Sequence, residues 1–322
     1  MTTIASTITR KVLLLGPQGR HNNVVEAISK LAVDGPIATI TAGWEERDGE
    51  DSELSEAFGG RIRNLGLYAR TESLFRADGE VRQVLYERYD RLRELQGVYR
   101  LRLAGQLQAC RTLLEAQKQD ALDALYVPEI DDALRAITEL DAHHLHRVSA
   151  LDAEIAERLD VANRSSLQQP MEELRTILSS CEALLIAGGH VAILLNRLRL
   201  FSVLDLAPAL PIVAWSGGAM VLGERIVLFH DSPPQGSGDA EILSAGMGLI
   251  QGLLPLPHAS ERLRLTDPAR VALFARRFAR ETCVCMDGGE LIEGSSDQSA
   301  WNVPTGVRIL GQSGEVEGNR PA

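Results

Sequence analysis

Short aliphatic runs that stop at glycine and hand over to helix-spaced apolar residues recur along this sequence, and that rhythm leaves few folds open. Residues 11–15 run into Gly16-Pro17-Gln18-Gly19, after which Val24, Ile28 and Leu31 share a helical face. Residues 36–43 read as a second buried strand. The acidic segment 45–56 that follows suits a loop entering a helix, whose first turn favours carboxylates. Residues 61–68 supply a third strand. The unit returns at 181–187, which ends in Gly188-Gly189-His190 before Ile193, Leu194, Leu198 and Leu200. It returns again at 211–215, which runs straight into Ser216-Gly217-Gly218-Ala219-Met220. Strands are also expected at 225–229, 253–258, 283–286 and 307–310, with a helix over 267–280, a hairpin signal at Gly288-Gly289 and a fraying end beyond Gly311. Strands alternating with helices about every thirty residues build a mostly parallel sheet covered on both faces. The expected fold is α/β, a three-layer αβα arrangement of flavodoxin-like type.

From residue 81 to 159 the rhythm breaks. Leu, Arg, Glu, Gln and Ala dominate, and the period becomes helical. Leu85, Tyr89, Leu92, Tyr99, Leu103, Cys110 and Leu114 form one apolar stripe. Leu134, Ile137, Val148, Leu151, Ile155 and Leu159 form a second, and Tyr126-Val127-Pro128 separates the two. This pattern predicts a helical hairpin inserted into the α/β domain. The domain then comprises residues 1–75 and 176–322, and the insertion residues 76–175. Such an insert can act as a dimerisation arm or a substrate lid, but stripes of this kind more often pack as core.

Composition narrows the partners. The 322 residues are 45% hydrophobic and 24% charged, which excludes a disordered chain, and at 4% aromatic the core must be aliphatic. Forty-four acidic against 33 basic residues leave a net charge of −11 that repels phosphate backbones, so nucleic acid is not the expected partner. The N-terminal stretch lacks a signal peptide's hydrophobic segment, and no apolar run is long enough to cross a bilayer. A cytoplasmic protein without a membrane partner is expected. Cys110, Cys181, Cys283 and Cys285 lack paired metal-ligand spacing and read as reduced, buried thiols, although Cys283 and Cys285 share one strand face.

The chemistry-bearing residues cluster after strands. Ala214-Trp215-Ser216-Gly217-Gly218 fits the small-x-Ser-x-Gly pattern of a nucleophile elbow, in which a serine sits on a strained turn between strand and helix. Small neighbours are needed there, because larger side chains two residues away would clash. A capping serine at a glycine-rich helix entry is the plainer alternative. Serine needs a base, and His258 follows an apolar strand on the same rim of the sheet. Asp231, at the end of the intervening strand, is the candidate to orient that imidazole. Taken singly, His258 reads as a loop histidine and Asp231 as a turn-former; together with Ser216 they fall at three successive strand ends. The N–H groups of Gly189 and Gly217 are the candidate oxyanion hole. His230 stands beside Asp231, where it would support that carboxylate from behind or touch the substrate. Gly16-Pro17-Gln18-Gly19 lacks the ending of a phosphate-binding loop. His143 and His146 share a helical face with Glu139, which admits a metal, but a solvated helix explains them and no metal site is expected.

These motifs resemble the serine peptidases of dipeptidase E and cyanophycinase, which share the class I glutamine amidotransferase-like fold. The resemblance rests on Gly188-Gly189-His190, Trp215-Ser216-Gly217-Gly218-Ala219, His230-Asp231, Gly246-Met247-Gly248-Leu249 leading to His258, and Cys285-Met286-Asp287, together with Ile40-Thr41-Ala42-Gly43-Trp44 near the N-terminus. It implies Ser216 as nucleophile, His258 as base and acid, Asp231 as the orienting carboxylate, and Gly189 and Gly217 as oxyanion donors. Gly217 replaces the family's usual alanine. His190 replaces its usual asparagine, which makes His190 a candidate substrate contact of altered selectivity. The helical insert has no counterpart in the two named enzymes, so their aspartyl-peptide specificity is not carried over. A serine where amidotransferases of this fold carry cysteine argues against glutaminase chemistry.

The expected activity is hydrolysis of a small peptide or amide through an acyl-enzyme, with no cofactor. Two rivals stand beside it: a scaffold that has lost catalysis and binds or oligomerises through the hairpin, and an esterase or acyl transferase using the same triad. The expected partners are the small peptide or amide substrate and, through the hairpin, a second copy of the chain.

Overall fold

The computed structural model describes residues 9–19, 22–119, 123–229, 238–297 and 301–318. In chain order the first half runs β1 (Lys11–Leu15), α1 (Val24–Ser29), β2 (Ile37–Ile40), a 3-10 turn (Ala42–Arg47), α2 (Ser52–Ala57), β3 (Ile62–Asn64), α3 (Leu67–Ala77), α4 (Gly79–Gln119), α5 (Asp123–Leu159) and α6 (Ser165–Ser179). The second half runs β4 (Ala183–Ile186), α7 (Val191–Leu200), α8 (Val203–Leu206), β5 (Ile212–Trp215), α9 (Gly217–Leu222), β6 (Arg225–Leu228), β7 (Glu241–Ala245), β8 (Leu253–Pro257), α10 (Ala259–Arg262), α11 (Pro268–Arg277), β9 (Thr282–Met286), β10 (Leu291–Ser295), β11 (Arg308–Leu310) and β12 (Val316–Gly318).

The central sheet has the order β10-β1-β5-β4-β2-β3, and all of its pairings are parallel except β10 with β1. Its inner strands are mostly aliphatic and, apart from Lys11 at the start of β1, buried, as a parallel sheet covered on both faces requires. Strand alternation divides them between two cores. Val12, Leu14, Ile40, Ile186 and Ala214 point to the face covered by α7, α9 and the helical layer; Leu13, Leu15, Leu185, Val213 and Trp215 point to the face covered by α1. Each fully buried Leu or Ile contributes about 1.5–3 kcal/mol. The fold is therefore α/β, with a mostly parallel sheet between helical layers. A second sheet, β12-β11-β9-β8, and an antiparallel β6–β7 pair complete it.

Several local expectations change. Residues 61–68 hold only three strand residues, because Gly66 turns into the left-handed region (φ 55°) and starts α3. Gly288-Gly289 does not close a hairpin: β9 pairs with β8 and β11, whereas β10 crosses to pair antiparallel with β1. The end beyond Gly311 is partly ordered, since β12 pairs with β11. Strand β7 was not legible, because its burial alternates and Glu241 opens it.

Helices α4 and α5 form the anticipated hairpin, and α4 spans about 60 Å at 1.5 Å per residue. Tyr126-Val127-Pro128 lies inside α5 rather than between the helices, and residues 120–122 lie outside the described residues. The stripes pack as core except at Tyr89, which faces solvent at 59% exposure. Arg88 takes the inward place, where it is held by Asp152 at 2.8 Å and Asn196 at 3.0 Å. Arg277 of α11 is buried against Asp141 of α5 through bonds of 2.7 and 2.8 Å. Tyr99 of α4 donates to the same carboxylate at 2.7 Å and stacks on His144. Among the described residues, no helix is long and apolar enough to cross a membrane.

Candidate active site

The end of β5 sets the site. Ser216 separates β5 from α9 with φ 50° and ψ −120°, a region that side-chain-bearing residues occupy at a cost of about 1–3 kcal/mol. Its N–H donates to the Leu15 carbonyl at 3.2 Å, which fixes the turn against the end of β1. Its half-buried hydroxyl makes no hydrogen bond among the described residues.

The turn after β4 crosses directly over this serine, and the crossing is too close for side chains. A Cβ on Gly188 would lie 2.9 Å from Cβ of Ser216, and one on Gly217 would lie 2.8 Å from the Gly189 carbonyl. Gly189, at φ 113°, abuts Gly43, and a Cβ on Gly43 would meet the Gly188 carbonyl at 2.6 Å. Gly218 abuts the Ile186 carbonyl, which explains the glycine two residues after the serine. The alanine usual at position 217 in the resembled family would force this crossing apart. Neither the Gly189 nor the Gly217 N–H is used in a hydrogen bond among the described residues, so both remain available to a substrate oxygen.

His190 is exposed and caps α7: its Nδ1 accepts the Ile193 N–H at 3.3 Å, and its own N–H donates to the Gly43 carbonyl at 2.7 Å. A neutral His190 therefore carries its ring proton on Nε2. The capping role is one an asparagine performs equally well.

His258 stands at the end of β8 in the left-handed region, φ 58° and ψ 35°. Its N–H donates to the Met286 carbonyl at 2.8 Å, and its Nδ1 lies 3.6 Å from the Glu261 carboxylate. Partial burial pulls its pKa below the usual value, Arg262 adds to this, and Glu261 and Asp287 oppose it. A backbone relay joins the two strand ends. Leu15 accepts from Ser216, Gly16 donates to Glu290 at 3.3 Å, the Glu290 carboxylate accepts the Asp287 N–H at 3.0 Å, and Met286 accepts from His258. Ser216 and His258 make no hydrogen bond to each other in this arrangement. His230 and Asp231 lie outside the described residues.

Three features escaped the sequence. Glu45 adopts φ 61° and ψ −125°, nearly the backbone of Ser216, inside the 3-10 turn that follows β2; the motif Ile40-Thr41-Ala42-Gly43-Trp44 stops one residue short of it, and nothing in the sequence marks the strain. Asp287, quoted in the Cys285-Met286-Asp287 motif, has a contact the motif did not foretell: it accepts the Ser260 N–H at 2.8 Å and pairs with Arg308, so it braces α10, the short helix that follows His258. Glu261 falls one helical turn after His258, a spacing that was available as a signal. The histidine cluster divides: His144 is buried against Tyr99, while His143 and His146 are exposed. Among the described residues, no group of three His, Cys, Asp or Glu side chains is arranged to hold a metal. Cys285 is buried, and its thiol is pushed up to about 12 chiefly by burial, so it is no nucleophile at neutral pH.

No family model matches the sequence, and neither does any curated protein. Among solved structures, the crystal structure of a peptidase from an acI-B1 Actinobacterium aligns over 97% of this chain and 98% of its own, at 12% identity and a TM-score of 0.47.

Proposed function

We propose that this chain is a serine hydrolase that cleaves a small peptide or amide through an acyl-enzyme, on the pattern of the dipeptidase E and cyanophycinase peptidases. Ser216 attacks the carbonyl carbon while His258 takes its proton. The carbonyl oxygen, now an oxyanion, accepts from the N–H groups of Gly189 and Gly217. His258 then protonates the departing amine, and a water that it deprotonates releases the acyl group. Asp231 is assigned the role of orienting the imidazole. The observation that carries this reading is the backbone of Ser216, φ 50° and ψ −120°, held beneath two glycines whose N–H groups are unused. Strain of that kind in a serine between strand and helix presents a nucleophile.

The missing Ser216 to His258 hydrogen bond favours the rival of a scaffold without turnover, and catalytic contacts of this kind also tighten on substrate binding. A fluorophosphonate probe decides between them. Labelling confined to Ser216, with hydrolysis found in a dipeptide and ester library and reduced about 10⁴-fold or more in Ser216→Ala, is the expected result. A folded protein that takes up no probe and turns over nothing in the library would establish the scaffold instead. Turnover of esters alone would establish the esterase.

A further inference from the structure

The helical hairpin packs against α3, α11 and β7 on one side, and among the described residues its other side is exposed. Six of the seven exposed large apolar side chains among the described residues belong to α4 and α5, so the apolar surface of this protein is concentrated there. Val98 is 53% and Leu101 79% exposed. Between the two helices runs a groove of about 470 Å³ with Leu95, Val98, Ala150 and Leu151 along its floor.

The charges on its banks are unequally used. Arg91 of α4 and Glu154 of α5 pair with each other across the groove at 2.5 Å. Glu94 of α4 and Arg147 of α5 also line it, on opposite banks; Glu94 lies in the field of Arg91 on its own bank, and neither Glu94 nor Arg147 makes a hydrogen bond or close ion pair among the described residues. The Arg91–Glu154 pair and the Tyr99–His144 stack fix the register of the two helices. That register puts Glu94 and Arg147 within about 6 Å of one another along the hairpin axis.

We propose that this groove is a homodimer interface, filled by the same face of a second copy about a twofold axis running along the hairpin between α4 and α5. That rotation lays α4 of each copy over α5 of the other. The apolar floors close on one another, and Glu94 meets the partner's Arg147 twice, once on each side. Arg91 and Glu94 on one bank and Glu154 and Arg147 on the other are the alternation a self-complementary contact requires: the rotation sets Glu94 near the partner's Arg147 and Arg91 near the partner's Glu154. The face measures about 55 Å by 20 Å, from the length of α5 and the width of two helices. That is ample for the roughly 800 Å² per partner of a stable dimer.

Sedimentation of the full chain at micromolar concentration tests the proposal. The wild type is expected to be a dimer. E94R and R147E should each raise the dimer dissociation constant about tenfold or more, and the E94R/R147E double variant should return to within about threefold of wild type. Because both positions are exposed, the variants should keep the wild-type circular dichroism. A monomeric wild type, including one whose groove serves another protein, overturns the proposal, as does a double variant no tighter than either single one. S216A should dimerise like the wild type, so this test stands or falls apart from the hydrolase reading.

Discussion

Ser216, after β5, and Glu45, in the 3-10 turn after β2, occupy nearly the same uncommon backbone region; β4 lies between the two strands, and Gly43, Gly188, Gly189 and Gly217 pack against one another beyond their ends. The serine was legible because its elbow needs glycine at fixed neighbouring positions. Glu45 was not, because nothing near it in the chain records the strain, and Gly43 shows its purpose only once β4 lies beside it. His258 carries the residue-scale prediction. Burial and Arg262 hold its pKa below the usual 6.5, so the ring stays neutral, and able to accept a proton, further into the acid range than a free histidine. With His258 as the proposed base, protonation as pH falls through that lowered value is expected to abolish the proposed activity. The acid limb of kcat/KM should accordingly have its midpoint below 6.5. A midpoint above that value would contradict the geometry around His258.

At the scale of elements, the hairpin is bound to α11 and β7 by polar contacts inside an apolar layer. Arg277 and Asp141 are 2% and 4% exposed, and Arg277 also donates to the Ala240 carbonyl at 2.6 Å, next to the start of β7. Removing one partner strands the other charge in the interior. Arg277→Ala and Asp141→Ala are each expected to lose about 3–5 kcal/mol in urea unfolding, while Arg277→Met combined with Asp141→Leu loses much less than the sum. Additive losses would mean that the two charges are solvated independently. The hairpin itself was readable from its apolar period. The buried pair was not, because an aspartate in a charge-rich helix looks solvent-facing until a guanidinium from a distant segment reaches it. Strand β7 stayed hidden for a related reason: Arg100 of α4 neutralises Glu241 at its start and Gln96 donates to the same carboxylate, so a charged residue could open a half-buried strand.

Across the whole molecule, one continuous core joins Leu103 and Ile137 of the hairpin to Val12, Leu184 and Ile212 of the sheet. Hairpin and sheet should therefore unfold together. The three tryptophans, Trp44, Trp215 and Trp301, lie outside the hairpin, whereas α4 and α5 supply most of the helical signal. Denaturation followed by tryptophan fluorescence and by far-ultraviolet circular dichroism is expected to give coincident transitions. Separate midpoints would make the hairpin an independent unit. The amino-acid order alone determined the aliphatic strands, the helical period and the glycine-flanked serine, because each is written in residues a few positions apart. Packing decided the rest: which strand lies beside which, why Gly43 must be glycine, where Arg277 finds its counter-charge, and how the relay from Leu15 to Met286 joins the ends of β5 and β8. Contacts between distant segments form only when apolar faces are buried against each other, and no local pattern encodes which faces those will be.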